Sequence, residues 1–256
     1  MARVFVTGSS DGIGAVTARQ LAGAGHAVTL HARNGARAAD ARRAVPGAED
    51  VVVGDLGSLA EVRAIAEAVN ARGRCDAVIH NAGVGYRGPR EETVDGFEHV
   101  FAVNVLAPYV LTALIERPAR LVYLSSGMHR GGNPSLDDVN WERRRWDGSQ
   151  AYSDSKLFDA VLAFAIARRW PDVKSNAVEP GWVPTKMGGS GAPDDLEEGA
   201  ATQVWLATSD EPAALVSGKY FFHKRQREVH PAAQSPSVQD ALLAYCARLS
   251  GVTLPP

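Results

Sequence analysis

Thr7-Gly8-Ser9-Ser10-Asp11-Gly12-Ile13-Gly14 stands between a strand-like run, Arg3-Val4-Phe5-Val6, and an apolar-spaced helical run that begins at Ala15. Gly8 can turn the chain tightly, Gly12 lets backbone approach a pyrophosphate, and Gly14 permits close helix–strand packing. The N–H groups at the start of the helix have no helical acceptor and can face an anion. Ser9, Ser10, Asp11 and Ile13 belong to the same loop and are candidate contacts. The spacing is G-x-x-x-G-x-G rather than G-x-G-x-x-G, and a glycine cluster alone also reads as an ordinary turn. Its meaning therefore depends on the rest of the chain.

Beyond the loop the pattern is regular. Strand-like runs at 3–7, 27–31, 50–54, 76–80, 120–125, 173–178 and 216–222 alternate with helical patterns at 13–24, 58–72, 94–116, 151–169, 194–208 and 237–249, with a weak one at 36–43. This alternation predicts an α/β fold, a doubly wound parallel sheet with helices on both faces. At 256 residues, 45% hydrophobic and 22% charged, the chain suits a single domain over 1–256. Two stretches, 127–150 and 186–193, come after strands at their carboxyl ends, where open α/β sheets place ligands.

The net charge of −2 and a pI near 6.4 give no global basic field, so neither nucleic acid nor a membrane surface is an expected partner. Arg143-Arg144-Arg145 and Lys224-Arg225-Gln226-Arg227 read as solvated faces. Cys75 and Cys246 lack C-x-x-C spacing, so no metal site and no thiol redox pair is expected. Met1 leads directly into a strand-like run and no apolar run is long enough to cross a bilayer, so a cytoplasmic setting is expected.

About twenty residues past the glycines, an acidic residue would bind the ribose hydroxyls of NAD and an arginine would accept the extra phosphate of NADP. Here the second strand ends in Ala32-Arg33-Asn34, which favours NADP over NAD, because Arg33 can make a forked, charge-assisted pair with phosphate. Asp11 opposes this by placing negative charge in the loop, and Arg33 also reads as a solvated residue. Asp55-Leu56 after the third strand can bind and pack an adenine, or Asp55 can cap the helix near Ser58. Asn81-Ala82-Gly83 after the fourth strand lets backbone pass beneath a ribose, while the Asn81 amide can equally tie strands together.

Tyr152 and Lys156 share one helix face at a spacing of four. A nearby ammonium, together with the positive nicotinamide ring of an oxidised cofactor, favours phenolate and should lower the tyrosine pKa from about 10 toward the working range. Ser125-Ser126 ends a strand, where a hydroxyl can donate to a substrate carbonyl. Pro108 lies four residues after Asn104, which predicts a kink and a free Asn104 carbonyl able to hold a water. Pro180-Gly181-Trp182-Val183-Pro184-Thr185 comes after the sixth strand, with the Thr185 hydroxyl and Val183 backbone placed for a carboxamide.

Taken in order, Thr7-Gly8-x-x-x-Gly12-Ile13-Gly14, Asp55-Leu56, Asn81-Ala82-Gly83, Asn104, Ser125-Ser126, Tyr152-x-x-x-Lys156 and Pro180-Gly181-x-x-x-Thr185 resemble the short-chain dehydrogenase/reductase family, from residue 3 to about 222. The resemblance implies a single Rossmann-type domain, a seven-stranded parallel sheet and a catalytic tetrad of Asn104, Ser126, Tyr152 and Lys156. Hydride would pass between NADP(H) and a carbonyl or alcohol carbon of a small substrate, with Tyr152 as acid and base. Cofactor contacts would run through the glycine loop, Arg33, Asn34, Asp55, Leu56, Asn81, Ala82, Gly83, Tyr152, Lys156, Pro180, Gly181, Val183 and Thr185. The long Ser126-to-Tyr152 interval marks 127–150 as an active-site insertion and resembles retinol-dehydrogenase-like members, as does Met128-His129. Met128 and Trp182 are candidate substrate contacts, and 186–199 a candidate lid. The Tyr152 helix is an interface in many members, which allows a homo-oligomer. An alternative is an NADP(H)-binding sensor or regulator without turnover; an extended-branch epimerase would need a larger carboxyl-terminal domain.

Overall fold

A computed structural model describes residues 1–256. The elements run β1 (Arg3–Val6), α1 (Gly12–Gly23), β2 (Ala27–Ala32), α2 (Gly35–Ala44), β3 (Asp50–Val53), α3 (Leu59–Asn70) and β4 (Ala77–His80). A short α4 (His99–Phe101), a π-helical stretch Ala102–Leu106, α5 (Ala107–Leu114) and β5 (Arg120–Leu124) come next. Then come a 3₁₀ turn Gly127–Gly131, α6 (Gly148–Arg169), β6 (Lys174–Val178), α7 (Leu196–Thr208), β7 (Tyr220–Phe222), β8 (Arg225–Arg227), α8 (Pro231–Gln234) and α9 (Pro236–Ser250).

The strands lie in the order β3-β2-β1-β4-β5-β6-β7-β8. The first seven are parallel, as the alternation predicts. β8 adds an eighth strand, paired antiparallel to β7 through Tyr220 with Arg227 and Phe222 with Arg225. Its all-polar sequence hid it, because an exposed edge strand carries no apolar pattern. This hairpin also answers for the basic run at 224–227, whose strand residues are all exposed.

Side chains alternate across the sheet. In β1, Phe5 joins a 39-residue apolar cluster beneath α3, α5, α6 and α9, while Val4 and Val6 join a 21-residue cluster beneath α1, α2 and α7. Each such side chain, fully withdrawn from water, contributes about 1.5–3 kcal/mol. The near-continuous apolar character of β1, β4 and β5 thus reflects burial on both faces. Cys75 and Cys246 are buried, unpaired members of the first cluster.

The expected kink at Pro108 takes a specific form. Pro108 has no N–H for the Asn104 carbonyl, and the chain widens into the π-helical stretch, with the Ala107 N–H reaching back five residues to the Ala102 carbonyl. The predicted single helix over 94–116 is therefore three consecutive pieces beginning at His99. No helix is long and apolar enough to cross a membrane.

β1 and β4 are adjacent although not consecutive, so connections leave this pair in opposite directions and open a crevice between the loops at their carboxyl ends. Gly14 sits in the tightest part. A Cβ there would lie 2.2 Å from the Gly8 carbonyl oxygen and 2.3 Å from Asn81 Nδ2. Gly14→Ala is accordingly expected to destabilise the fold by about 1–3 kcal/mol and lower Tm by roughly 3–10 °C, measured by thermal unfolding of the protein alone.

Candidate active site

The glycine loop wraps one end of the crevice. Gly8 and Gly12 have φ of +63° and +54°, a left-handed region that favours glycine, and a Cβ on Gly8 would meet the Ala82 Cα at 2.8 Å. The Thr7 hydroxyl accepts from the N–H groups of Asn81 and Ala82, both at 2.9 Å. Asn81 Nδ2 donates to the carbonyls of Thr7 and Gly8, while its Oδ1 is buried without a partner. The structural reading of Asn81 therefore holds, and an acceptor remains over. Buried His31, which sequence reasoning passed over, accepts the Gly8 N–H at Nδ1 and donates from Nε2 to the Gly54 carbonyl, both at 2.9 Å. This arrangement identifies the neutral tautomer, and burial keeps the ring's pKa below its ordinary value.

A groove of about 740 Å³ runs over this loop, lined by Ser10, Asp11, Arg33, Asp55, Leu56 and Gly83 among others. The N–H groups of Gly12, Ile13 and Gly14 have no acceptor in the protein. Asp11 does not present bare negative charge as expected. Its carboxylate pairs with Arg37 at 2.6 Å and Lys186 at 2.8 Å. Burial pushes its pKa up, but the two cations outweigh that and hold it below the carboxylate range. Arg37, also absent from the sequence-level candidates, lines the groove alongside Arg33. Two candidates point elsewhere. The Ser9 hydroxyl is turned inward to the Val6 carbonyl, and Asn34 caps α2 through the Arg37 N–H. Asp55 accepts from the Gly57 N–H, and Ser58 rather than Asp55 caps α3.

A second cavity of about 480 Å³ adjoins the groove, sharing Ile13, Thr185 and Met187 with it. Ser126 and Tyr152 line it together with Met128, Pro180, Gly181, Trp182 and Val183. Trp182 is 57% exposed, its indole donating to the Gly188 carbonyl. Tyr86, from the segment after β4, stands edge-on to Tyr152 with ring centroids 5.5 Å apart. The lining holds no Lys, Arg or His but includes the carboxylates of Glu179 and Asp194. Of the 127–150 segment only Gly127 and Met128 line this cavity. The remainder packs against itself and its neighbours: Arg144 lies 3.5 Å over the buried Trp141 ring, Trp146 donates to the Gly88 carbonyl, and Asn140 accepts from the Glu98 N–H. The 186–199 segment ends in the first turn of α7, and its Lys186 reaches the glycine loop.

Helix α6 starts at its Asp147 cap, which accepts from the Gln150 N–H, and carries Tyr152 and Lys156 against β5. Its residues Leu157, Val161 and Ala165 are fully buried within the chain. The Ser125 hydroxyl donates to the Lys156 carbonyl at 2.7 Å, which leaves Ser126 as the serine facing Tyr152. The Asn104 side chain clamps the segment after β4 to α6. It accepts from the Val84 N–H and donates to the Val84 carbonyl and Ser155 hydroxyl.

Lys156 has a partner that spacing rules did not reveal. Its ammonium donates to Asp159 at 2.7 Å and to the Leu124 carbonyl at 2.8 Å, and both charged side chains are about 5% exposed or less. Lys156 pulls the Tyr152 pKa down, as expected, but it acts against two opposing influences among the protein's own groups. Burial raises the pKa above the ordinary phenol value, Lys156 opposes this, and Asp159 adds to the rise. For Lys156, burial pulls down but Asp159 and Tyr152 pull harder, so its pKa is raised.

A family model described as enoyl-(acyl carrier protein) reductase matches residues 8–217. An uncharacterized oxidoreductase of Emericella nidulans is 46% identical, the alignment covering 100% of this chain and 99% of that protein. The chain belongs to the short-chain dehydrogenase/reductase family. Human retinol dehydrogenase 13 is 33% identical over 98% of this chain and 85% of its own length, in keeping with the retinol-dehydrogenase-like insertion. Among solved structures, a blue fluorescent protein from a metagenomic library in complex with NADPH superposes with a TM-score of 0.70 at 25% identity, covering 86% of this chain and 95% of that one. As a short-chain dehydrogenase/reductase the protein is an oxidoreductase of small molecules that uses NAD(P). The free loop amides, the partnerless Asn81 Oδ1 and the close Gly8 approach fit such a dinucleotide.

Removing the lysine should strand its partner. Lys156→Met is expected to destabilise the fold by about 3–5 kcal/mol at pH 8. Burial already raises the Asp159 pKa to about 7, against the pull of Lys156. Without the lysine the native state holds a proton that the unfolded chain releases, so stability should rise as pH falls from 8 to 6. Urea denaturation at both pH values, with Lys156→Met/Asp159→Asn as the recovering variant, measures this.

Proposed function

We propose that this short-chain dehydrogenase/reductase transfers hydride between NADP(H) and the carbonyl or carbinol carbon of a small organic substrate, with Tyr152 exchanging the proton. One observation carries the reading: the Tyr152 phenol and Ser126 hydroxyl share a cavity that opens into the glycine-loop groove. When bound, the nicotinamide supplies or receives the hydride. Tyr152 gives its proton to the carbonyl oxygen in reduction and takes it back in oxidation. Ser126 donates a hydrogen bond that orients that oxygen and stabilises its developing charge. Lys156 keeps one ammonium hydrogen free of protein acceptors and holds positive charge beneath the phenol. Asn104, with Pro108 depriving its carbonyl of the usual helical donor, is the candidate anchor of a water that relays protons from Lys156.

Gly12, Ile13 and Gly14 would hold the pyrophosphate, Asp55 and Leu56 the adenine, Asn81 to Gly83 the ribose, and Val183 with Thr185 the carboxamide. NADP is favoured over NAD because Arg33 and Arg37 both border the groove, Arg33 is exposed without an ion pair, and Ala32 brings no carboxylate. The NADPH bound in the superposed metagenomic protein supports the same choice. Met128 and Trp182 border the substrate, and the 186–199 segment closes over it. The cavity brings no basic side chain to pair with a substrate carboxylate, and its two carboxylates are held by Arg130, Tyr220 and the Trp182 N–H, which suits uncharged substrates over organic acids.

Tyr152→Phe should lower kcat by about 10²–10⁴-fold while leaving NADPH affinity, followed by fluorescence titration, nearly intact. Unchanged turnover across a carbonyl panel would overturn the reading. Arg33→Ser and Arg37→Ser should each weaken NADPH by roughly 10–100-fold, the loss of a charge-assisted hydrogen bond, with NADH little affected. The ratio of the two KM values for each variant reports this directly.

A further inference from the structure

Asp159 is a buried carboxylate one helical turn beyond Lys156, with no part in the proton transfer described above. It lies on the side of α6 that faces β5, where its Oδ2 accepts from the Lys156 ammonium at 2.7 Å. The second ammonium hydrogen goes to the Leu124 carbonyl at the end of β5. Lys156 Nζ stands 5.7 Å from the Tyr152 ring centroid. The lysine charge therefore has an opposite charge in direct hydrogen-bond contact and no such contact with the Tyr152 hydroxyl, and Coulomb attraction in a dry interior favours the nearer partner.

From this geometry we infer that Asp159 is a positioning residue that offsets the Lys156 charge and keeps Tyr152 a protonated phenol from neutral pH upward, so that the enzyme is poised to donate a proton and run as a carbonyl reductase. This rests on the acid/base reading of Tyr152. Without the carboxylate, the full ammonium charge would act on the phenol and favour phenolate, the form that alcohol oxidation needs.

The surroundings leave few other groups to do this. Around Tyr152 stand Lys156 and Asp159 of its own helix, the Ser126 hydroxyl after β5 and the Tyr86 phenol after β4, while across the shared cavity Glu179 is paired with Arg130 and Asp194 is held by the Trp182 N–H. Behind Asp159, Tyr123 of β5 shares a hydrogen bond with Thr112 of α5, and His80 of β4 stacks on the Tyr123 ring. Burial drives the Tyr123 phenol far above its usual value and the His80 pKa down to about 3, so neither changes charge near neutrality. Asn104, in the π-helical stretch, is uncharged. Burial raises the Asp159 pKa to about 7, so above that pH it is the ionised partner of Lys156. The direction of its influence on Tyr152 is upward.

Asp159→Asn keeps the shape and removes the charge. In this variant the pH at which kcat/KM for alcohol oxidation rises, and the pH at which ketone reduction falls, should both move down by on the order of one unit, a tenfold gain in oxidation below the wild-type limb. Ultraviolet titration of tyrosinate, taken as the difference from Tyr152→Phe, should show the same downward shift without any substrate. Asp159→Glu should retain wild-type limbs at reduced rate, and it serves as the charged comparison if the asparagine variant folds poorly. A purely structural role would lower rates and leave every limb in place. Unmoved limbs and an unmoved phenol titration in a folded Asp159→Asn protein overturn the inference. A wrong acid/base reading would instead appear as full activity in Tyr152→Phe.

Discussion

Everything at the catalytic edge depends on how closely the loops after β1 and β4 approach. The Asn81 amide donates to the carbonyls of Thr7 and Gly8, the Thr7 hydroxyl accepts two N–H groups in return, and Gly14 leaves no room for a Cβ. These bonds satisfy backbone groups that would otherwise be buried without partners where two parallel strands diverge. Holding the loops together opens the groove on one side and aims the start of α1 into it. The same approach places Gly83 beside Lys156, where a Cβ would come within 3.3 Å of Nζ. The glycine-loop groove and the cavity at Tyr152 are thus two outcomes of one packing constraint.

Electrostatics at this edge works by paired charges. Asp11 takes two cations, and Lys156 takes Asp159 and a strand-end carbonyl. In each case a residue that looks decisive by its sign has that charge offset by a neighbour from another turn or loop. At the groove mouth the pairs are accessible to water and screened, so they adjust easily when an anion arrives. Under the sheet they are dry, and a single substitution leaves a stranded charge. Surface pairs therefore leave the charge of the groove adjustable, whereas the buried pair ties stability and proton affinity together.

Much of the fold and site was legible in the sequence, for a physical reason. Parallel strands buried on both faces must be apolar throughout, so β1, β4 and β5 announce themselves. The glycine loop, Ser126, Tyr152 and Lys156 occupy strand ends and one helix turn, where spacing maps onto space. The eighth strand was not legible, because β8 is an exposed polar edge. Pro108 pointed to disturbed helix geometry, but the π turn itself, and the bonds of Asn104 to Val84 and Ser155 within it, appear only in the folded chain.

Partnerships across long separations belong to tertiary structure alone. No local rule joins Asp11 to Lys186, His31 to Gly8 and Gly54, or Trp146 to Gly88. The Asp159 contact is close in sequence, yet its weight comes from burial beneath β5, which a helical spacing does not disclose. The sequence by itself determined the doubly wound sheet, the glycine loop at its edge and the order of the candidate reactive groups, since hydrophobic period and glycine placement are local properties. Only the tertiary structure decided which charges are offset and which way the phenol's proton affinity leans, because desolvation and Coulomb interactions depend on distance in space.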